Sequence, residues 1–280
     1  MAQVKPRADG FGAEITGVDL ARPLPAAERD AVWNAFEVHG VVWFPDQEMS
    51  VEDLERLTLD LGEFGEDPFI RPMDGHAHVL EVRREASETG PNFGAAWHSD
   101  WSFQETPPSA TLLYAEIVPP AGGDTLFADG CAAWDSLGAA EQARLLPLRA
   151  VHSARRAYGP SGAYARGLPK GAMKIEVSDE ADAAVVHPLV RTNPRTGRRC
   201  LFANPVYTVG IEGADEDESA AILAPLFALM TEDRFVYRHR WSRRMLTMWD
   251  NRRLNHFADG GYDGHARLMR RTTLAGERPA

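Results

Sequence analysis

From His78 onward the chain is cut into short runs of strand-forming residues, HVLEVR, SATLLYAEIV, DTLFAD, FVYRHRW, RMLTMWD and ARLMRRTTLAG, separated by clusters of Pro, Gly and Asp. Many short strands with frequent turns pack as a sandwich or jelly roll, whereas alternating βαβ units need a helix-length pattern between successive strands. Only two helical patches interrupt the series, around Ala139–Leu146 and around Asp217–Met230. Ahead of it, LPAAERDAVWNAFEVHG carries Ala31, Val32, Ala35, Phe36 and Val38 at helical spacing, with Gly40 as its stop. VVWF (41–44) reads as a buried strand, and Ser50 with Asp53 forms a capping box for a helix through Leu57 to Leu61 that ends near Gly62. There is no G-x-G-x-x-G after a strand, no P-loop and no internal repeat, so the nucleotide-binding folds lose their support. The expected architecture is mainly β with flanking helices, one domain over residues 1–280, since no linker is evident.

The composition narrows the partners. No apolar run approaches the ~18 residues of a membrane span, and MAQVKPRADG lacks the apolar core of a secretory signal, so the expected address is cytoplasmic with no membrane partner. A net charge of −11 argues against nucleic acid, whose binding depends on Lys and Arg neutralising phosphates. The arginine-rich stretch from Arg234 to Arg278 still leaves room for a concave anion site. Cys131 and Cys200 stand far apart with no second pair, which suggests small buried residues rather than a disulfide framework or a thiolate metal cage.

The chemistry concentrates in WHSDWSF (97–103). If this stretch is a strand, His98 and Asp100 project to one face and can share a ligand, although H-x-D alone serves equally well as a hydrogen-bonded polar pair. A third donor is His256, in a polar segment after the strand RMLTMWD, where Asp250 and Asn251 read as turn residues. Two histidines and one carboxylate leave open positions on a metal, the arrangement suited to ferrous iron in oxygenases; zinc in a hydrolase can use the same donors. Along ARLMRRTTLAG, period two places Arg267, Met269 and Arg271 on one face. If that face is interior, the two guanidinium groups demand anions, and small carboxylates or oxyanions would satisfy them. The remaining histidines, His39, His76, His78, His152, His187, His239 and His265, show no partner pattern of this kind.

WHSDWSF, then PAGGDTLFAD (120–129), WDNRRLNHFA (249–258) and RLMRRTTLAG (267–276), resemble the taurine dioxygenase (TauD/TfdA) family of Fe(II)- and 2-oxoglutarate-dependent dioxygenases in order and spacing. GAEITGVDLARPLP and HGVVWFPDQ fit the same pattern, so the resemblance runs from about Gly12 to Gly276. It implies a double-stranded β-helix (jelly-roll) core with iron on His98, Asp100 and His256, the catalytic centre. It further implies that Arg267 and the Thr125 hydroxyl take the distal carboxylate of 2-oxoglutarate, and that Arg271 holds the anionic group of the primary substrate. Trp249 matches an aromatic wall near the iron. The implied reaction spends O₂ and 2-oxoglutarate, releasing succinate and CO₂ as the small-molecule substrate is hydroxylated, in a homo-oligomer, dimer or tetramer. An inactive relative that only binds these ligands, or a His₂Asp zinc hydrolase, are the alternatives.

Taurine enzymes of the family carry H-P-x-Y where this chain has Asp67-Pro68-Phe69-Ile70, so both polar sulfonate contacts are changed and taurine itself is not expected as substrate. A zwitterion would suit the change, Arg271 taking a carboxylate and Asp67 an ammonium. Ile70, Tyr158 and Tyr207 complete the expected substrate pocket, and residues 159–176, rich in Gly, Ala and Lys, are expected to form a mobile loop over it.

Overall fold

The computed structural model describes residues 2–168 and 170–280. In chain order the strands are β1 (Gln3–Pro6), β2 (Ala13–Thr16), β3 (Val41–Phe44), β4 (Leu80–Arg84), β5 (Ala110–Ile117), β6 (Thr125–Asp129), β7 (Arg149–Ser153), β8 (Ala184–Pro188), β9 (Val190–Thr192), β10 (Arg199–Leu201), β11 (Thr208–Ile211), β12 (Val236–His239), β13 (Leu246–Asp250), β14 (Leu254–Ala258) and β15 (Arg267–Leu274). The helices are α1 (Ala26–His39), α2 (Val51–Leu61), α3 (Gly130–Asp135), α4 (Ala139–Leu145), α5 (Arg155–Tyr158) and α6 (Glu216–Met230).

The main sheet runs β1-β2-β3-β13-β5-β15-β4 and is antiparallel except between β2 and β3. Its central strands are buried on both faces, because alternate residues serve two different cores. Leu112 and Tyr114 of β5 and Leu246 and Met248 of β13 point to one side, where Val32, Ala35 and Phe36 of α1 and Leu54, Leu57 and Leu61 of α2 cover them. That stripe on α2 is the helical period, and the helix starts at the expected capping box, Ser50 and Asp53 exchanging side-chain to backbone hydrogen bonds. Gly40 ends α1 with φ at 72°, a left-handed position that glycine occupies without cost. On the sheet's other face Leu113, Ala115, Trp249 and Met269 meet Phe127 of β6, Tyr237 of β12 and Leu254 of β14. These last belong to a second sheet, β12-β6-β14, so two sheets close over a common interior as a mainly β jelly roll. A further layer, β11-β7-β8 with the pair β10-β9, packs with α3 and α6.

Three local expectations are corrected. WHSDWSF is not a strand: His98 makes one isolated bridge to His256, and the chain then turns from Asp100, with Trp101 at a φ of 47°. His256 sits on a strand, β14, rather than in a loop after one. Cys131 on α3 and Cys200 on β10 are buried, as expected, but paired as a disulfide with Cα atoms 3.9 Å apart. Their juxtaposition comes from packing between elements distant in sequence, which spacing does not encode. The elements not anticipated include β7 to β11, each three to five residues long.

The join between β6 and α3 shows what holds the second sheet in place. Asp129 ends β6, caps α3 by accepting from the Cys131 and Ala132 amides, and takes Arg253 bidentately at 2.9 and 2.5 Å. Both side chains are more than nine-tenths buried. Burial pushes the Asp129 carboxyl up, but the Arg253 hydrogen bonds outweigh it and hold it below its ordinary value. Arg253→Ala is expected to leave an unpaired buried carboxylate and to destabilise the protein by about 3 kcal/mol or more, read as a lowered urea midpoint at unchanged slope.

Candidate metal centre and adjoining cavities

His98 and His256 are locked to each other through the backbone, each amide donating to the other's carbonyl, at 3.0 and 2.7 Å. Because β14 is paired residue for residue with β6, this exchange fixes the loop carrying WHSDWSF to the edge of the second sheet. The chain turns at Asp100, and Trp101 follows in the left-handed region at a φ of 47°. Asp100 Oδ1 ends 3.8 Å from His98 Nε2 and 3.8 Å from His256 Nε2. All three side chains are buried, and among the described residues they form the one such group of His, Cys, Asp or Glu donors close enough to share an ion.

Neighbouring hydrogen bonds orient each donor. His98 Nδ1 donates to the Ala96 carbonyl at 2.7 Å, so its Nε2 carries the lone pair facing Asp100. Asp100 Oδ2 accepts from the Thr111 hydroxyl at 2.6 Å, leaving Oδ1 toward the histidines. Thr111 in turn accepts from Asn251 Nδ2 at 2.9 Å, and Asn251 Oδ1 accepts from Trp249 Nε1 at 3.1 Å. Burial lowers His98 and brings His256 down to about 3, so both imidazoles are neutral at pH 7. Burial pushes Asp100 the other way, yet Arg271 and the two histidines outweigh it and hold it at about 2. Two neutral imidazoles and an ionised carboxylate are the protonation states a divalent metal requires.

Beside this group lies a small cavity of about 40 Å³ whose lining includes His98, Thr125, Trp249, His256, Arg267 and Arg271. Arg267 is 6% exposed and has no hydrogen-bond or ion-pair partner among the described residues; its guanidinium lies 5.9 Å from the Trp241 ring. A buried guanidinium without a counter-charge is costly, so the position calls for an anion. Trp241 Nε1 donates to the Thr125 hydroxyl at 3.0 Å, which frees the Thr125 proton for an acceptor in the cavity. A larger cavity of about 280 Å³ also reaches His98 and is walled mainly by Phe93, Tyr158, Tyr164, Leu168, Val206 and Tyr207. Tyr164 and Leu168 come from the 159–176 segment.

The structure thus gathers His98, Asp100, His256, Thr125, Arg267 and Arg271 at one place, with Tyr158 and Tyr207 in the adjoining cavity. Two expected substrate contacts fall elsewhere. Ile70 lines neither cavity; it pairs with Ile175 inside an aromatic cluster. Asp67 lines neither cavity and accepts from Trp101 Nε1, from Arg271 at 3.2 Å and from the Thr273 hydroxyl at 3.4 Å. Three protein donors already hold it, so an ammonium would have to compete with Arg271 for this carboxylate, which does not favour the zwitterion arrangement. Thr111, Asn251, Trp241 and Trp101 were not singled out as functional. Only Asn251 carried any signal, its place in the turn before β14.

A jelly roll holding two histidines and an aspartate beside an unpaired interior arginine defines a metal-dependent oxygenase site. The chain belongs to the family described as taurine catabolism dioxygenase TauD, TfdA, whose model matches residues 3–273. It is therefore a non-haem iron dioxygenase that uses 2-oxoglutarate (α-ketoglutarate) and O₂. It is 32% identical to an alpha-ketoglutarate-dependent sulfate ester dioxygenase of Pseudomonas putida, covering 99% of this chain and 90% of the relative. It is 37% identical to an alpha-ketoglutarate-dependent 2,4-dichlorophenoxyacetate dioxygenase of a Burkholderia species, covering 96% and 92%. Among solved structures it is similar to AAD-2 in complex with Mn(II) and N-oxalylglycine, with a TM-score of 0.81, 29% identity and coverage of 100% and 99%.

If Thr111 orients Asp100, Thr111→Val should weaken metal binding by about 10- to 100-fold while leaving the fold intact. Fluorescence or calorimetric titration of the variant with Mn(II) measures this; unchanged affinity would remove Thr111 from the site.

Proposed function

We propose that His98, Asp100 and His256 hold the ferrous ion, that Arg267 and Thr125 take the distal carboxylate of 2-oxoglutarate, and that the 280 Å³ cavity receives the primary substrate. The observation that carries this reading is Arg267: a buried cation with no hydrogen-bond or ion-pair partner among the described residues, next to a hydroxyl whose proton is free, is matched by a small dicarboxylate reaching in from the metal. Iron and 2-oxoglutarate, when bound, supply the oxidising chemistry, with decarboxylation to succinate and CO₂. The protein's part is to keep both imidazoles neutral, to aim Asp100, and to present the substrate beside His98 in a largely apolar, aromatic cavity that excludes water. A zinc hydrolase would leave Arg267 without a counter-ion.

The relatives named above act on a sulfate ester and on an aryloxyacetate. Together with the aromatic lining, this supports a small organic anion with an apolar body as substrate. The family resemblance also supports a dimer or tetramer, the sequence a cytoplasmic address, and the Gly- and Ala-rich stretches 159–168 and 170–176 a mobile cover, residue 169 lying outside the described residues. No helix of the described residues is long and apolar enough to cross a membrane.

Purified protein with Fe(II), 2-oxoglutarate and O₂ is expected to form succinate at a rate raised by a panel of sulfate esters, aryloxyacids and sulfonates. Succinate formation that needs no 2-oxoglutarate, or none under any condition, would overturn the assignment. Arg267→Met is expected to raise the KM for 2-oxoglutarate roughly 30-fold or more with intact Mn(II) binding.

A further inference from the structure

The cation beside the metal centre is already taken. Arg271 is 4% exposed, and its NH2 lies 3.2 Å from Asp67 Oδ1 and 3.3 Å from Asp100 Oδ1. Asp100 is committed to the metal, so Asp67 is the carboxylate that neutralises Arg271. Trp101 Nε1 and the Thr273 hydroxyl keep Asp67 in place, and its side chain is 9% exposed. A substrate anion seeking Arg271 would have to displace a buried carboxylate from three donors and leave it unpaired, which costs more than the new contact returns.

Another arginine faces the substrate cavity without such a partner. Arg156 of α5 lines the cavity and is exposed, which puts it at the mouth rather than beside the metal. Its NH1 donates to the carbonyls of Pro205 at 3.3 Å and Thr208 at 2.8 Å, which pins the guanidinium against the cavity wall. Among the described residues no carboxylate lies within ion-pair distance of it, although the chain carries 41 Asp and Glu against 30 Lys and Arg. Burial and then the neighbouring Arg155 act against its charge, and Glu216, beyond ion-pair distance, offsets them only in part, so an incoming anion would relieve it.

We propose that this chain reads its substrate's charge at Arg156, at the cavity mouth, while Asp67 closes Arg271 to substrate anions. The substrate class that follows is an apolar chain or ring bearing a terminal anion, such as a sulfate or carboxylate, with the anion at the mouth and the apolar end toward His98. The inference rests on the functional reading above.

Calorimetric titration of protein loaded with Mn(II) and N-oxalylglycine separates the two. The probes are hexyl sulfate, hexan-1-ol and methyl sulfate. The wild type is expected to bind hexyl sulfate about fivefold more tightly than hexan-1-ol, and methyl sulfate too weakly to detect. Arg156→Met and, independently, Arg156→Gln should abolish the advantage of the sulfate while still binding hexan-1-ol. Asp67→Asn should gain methyl sulfate binding by at least about tenfold, because Arg271 is released. Retention of the sulfate's advantage in both Arg156 variants, methyl sulfate binding by the wild type, or no gain in Asp67→Asn would overturn the proposal. Failure of the wild type to take up N-oxalylglycine would instead count against the cofactor assignment, so the two readings fail separately.

Discussion

The paired backbone hydrogen bonds between His98 and His256 are the contact on which the site depends. Side chains that bind a metal must be held to within a few tenths of an ångström, and a loop alone does not provide that. Here the loop borrows the rigidity of β14, whose register with β6 is set over five residues and whose interior side packs on the main sheet. With His98 fixed, Asp100 two residues on is held by Thr111, which donates to the oxygen that faces away from the histidines and is itself held by Asn251. The same strand pair supplies Thr125 at the start of β6, so metal donors and the hydroxyl of the small cavity stand on one small sheet.

Six arginines are buried among the described residues of this acidic protein, and four of them show the different ways in which a buried guanidinium is answered. Arg253 is answered by Asp129, and the pair ties β6 to α3. Arg252 is answered by Asp250 and Glu37, which join β13 to α1. Arg271 is answered by Asp67 and Asp100. Arg267 has no carboxylate to answer it among the described residues, only the Trp241 ring at 5.9 Å. The contrast carries information because burial makes the counter-ion obligatory. Where the protein supplies one the arginine is structural or positioning, and where it does not a ligand must.

Much of the site was legible in the sequence because its chemistry sits in runs. H-x-D, the later histidine and the period-two arginines of β15 could be found without coordinates, and Arg267 and Arg271 are indeed both buried around Met269. Strands β3, β4, β5, β13 and β15 of the main sheet were legible as runs of strand-forming residues and α1, α2, α4 and α6 as helical patches, whereas β1 and β2 were not. What escaped was whatever depends on contact between distant segments. His98 and Asp100 converge through a turn, not through strand alternation. Thr111, 11 residues from Asp100, and Trp241, 116 from Thr125, are ordinary strand and loop residues until the fold brings them in.

Asp67 is the instructive case. Sequence alone marks it as a departure from the taurine enzymes' pattern, and a lone carboxylate in a binding region invites a cationic ligand. Its surroundings reverse that reading. An aspartate reached by an indole N–H, a guanidinium and a hydroxyl has most of its lone pairs engaged inside the protein. A substitution that looks like a changed preference for substrate charge is then better understood as the withdrawal of a charge from the substrate's reach. Such a site can still discriminate, but it must do so through apolar contact near the metal and through groups farther out, where solvent competes and electrostatic selectivity is weaker. Relatives acting on sulfate esters and aryloxyacids would need different answers at this position if their anions lie beside the iron, and the pairing of the residue at 67 with the arginine at 271 is the feature by which the two arrangements can be told apart.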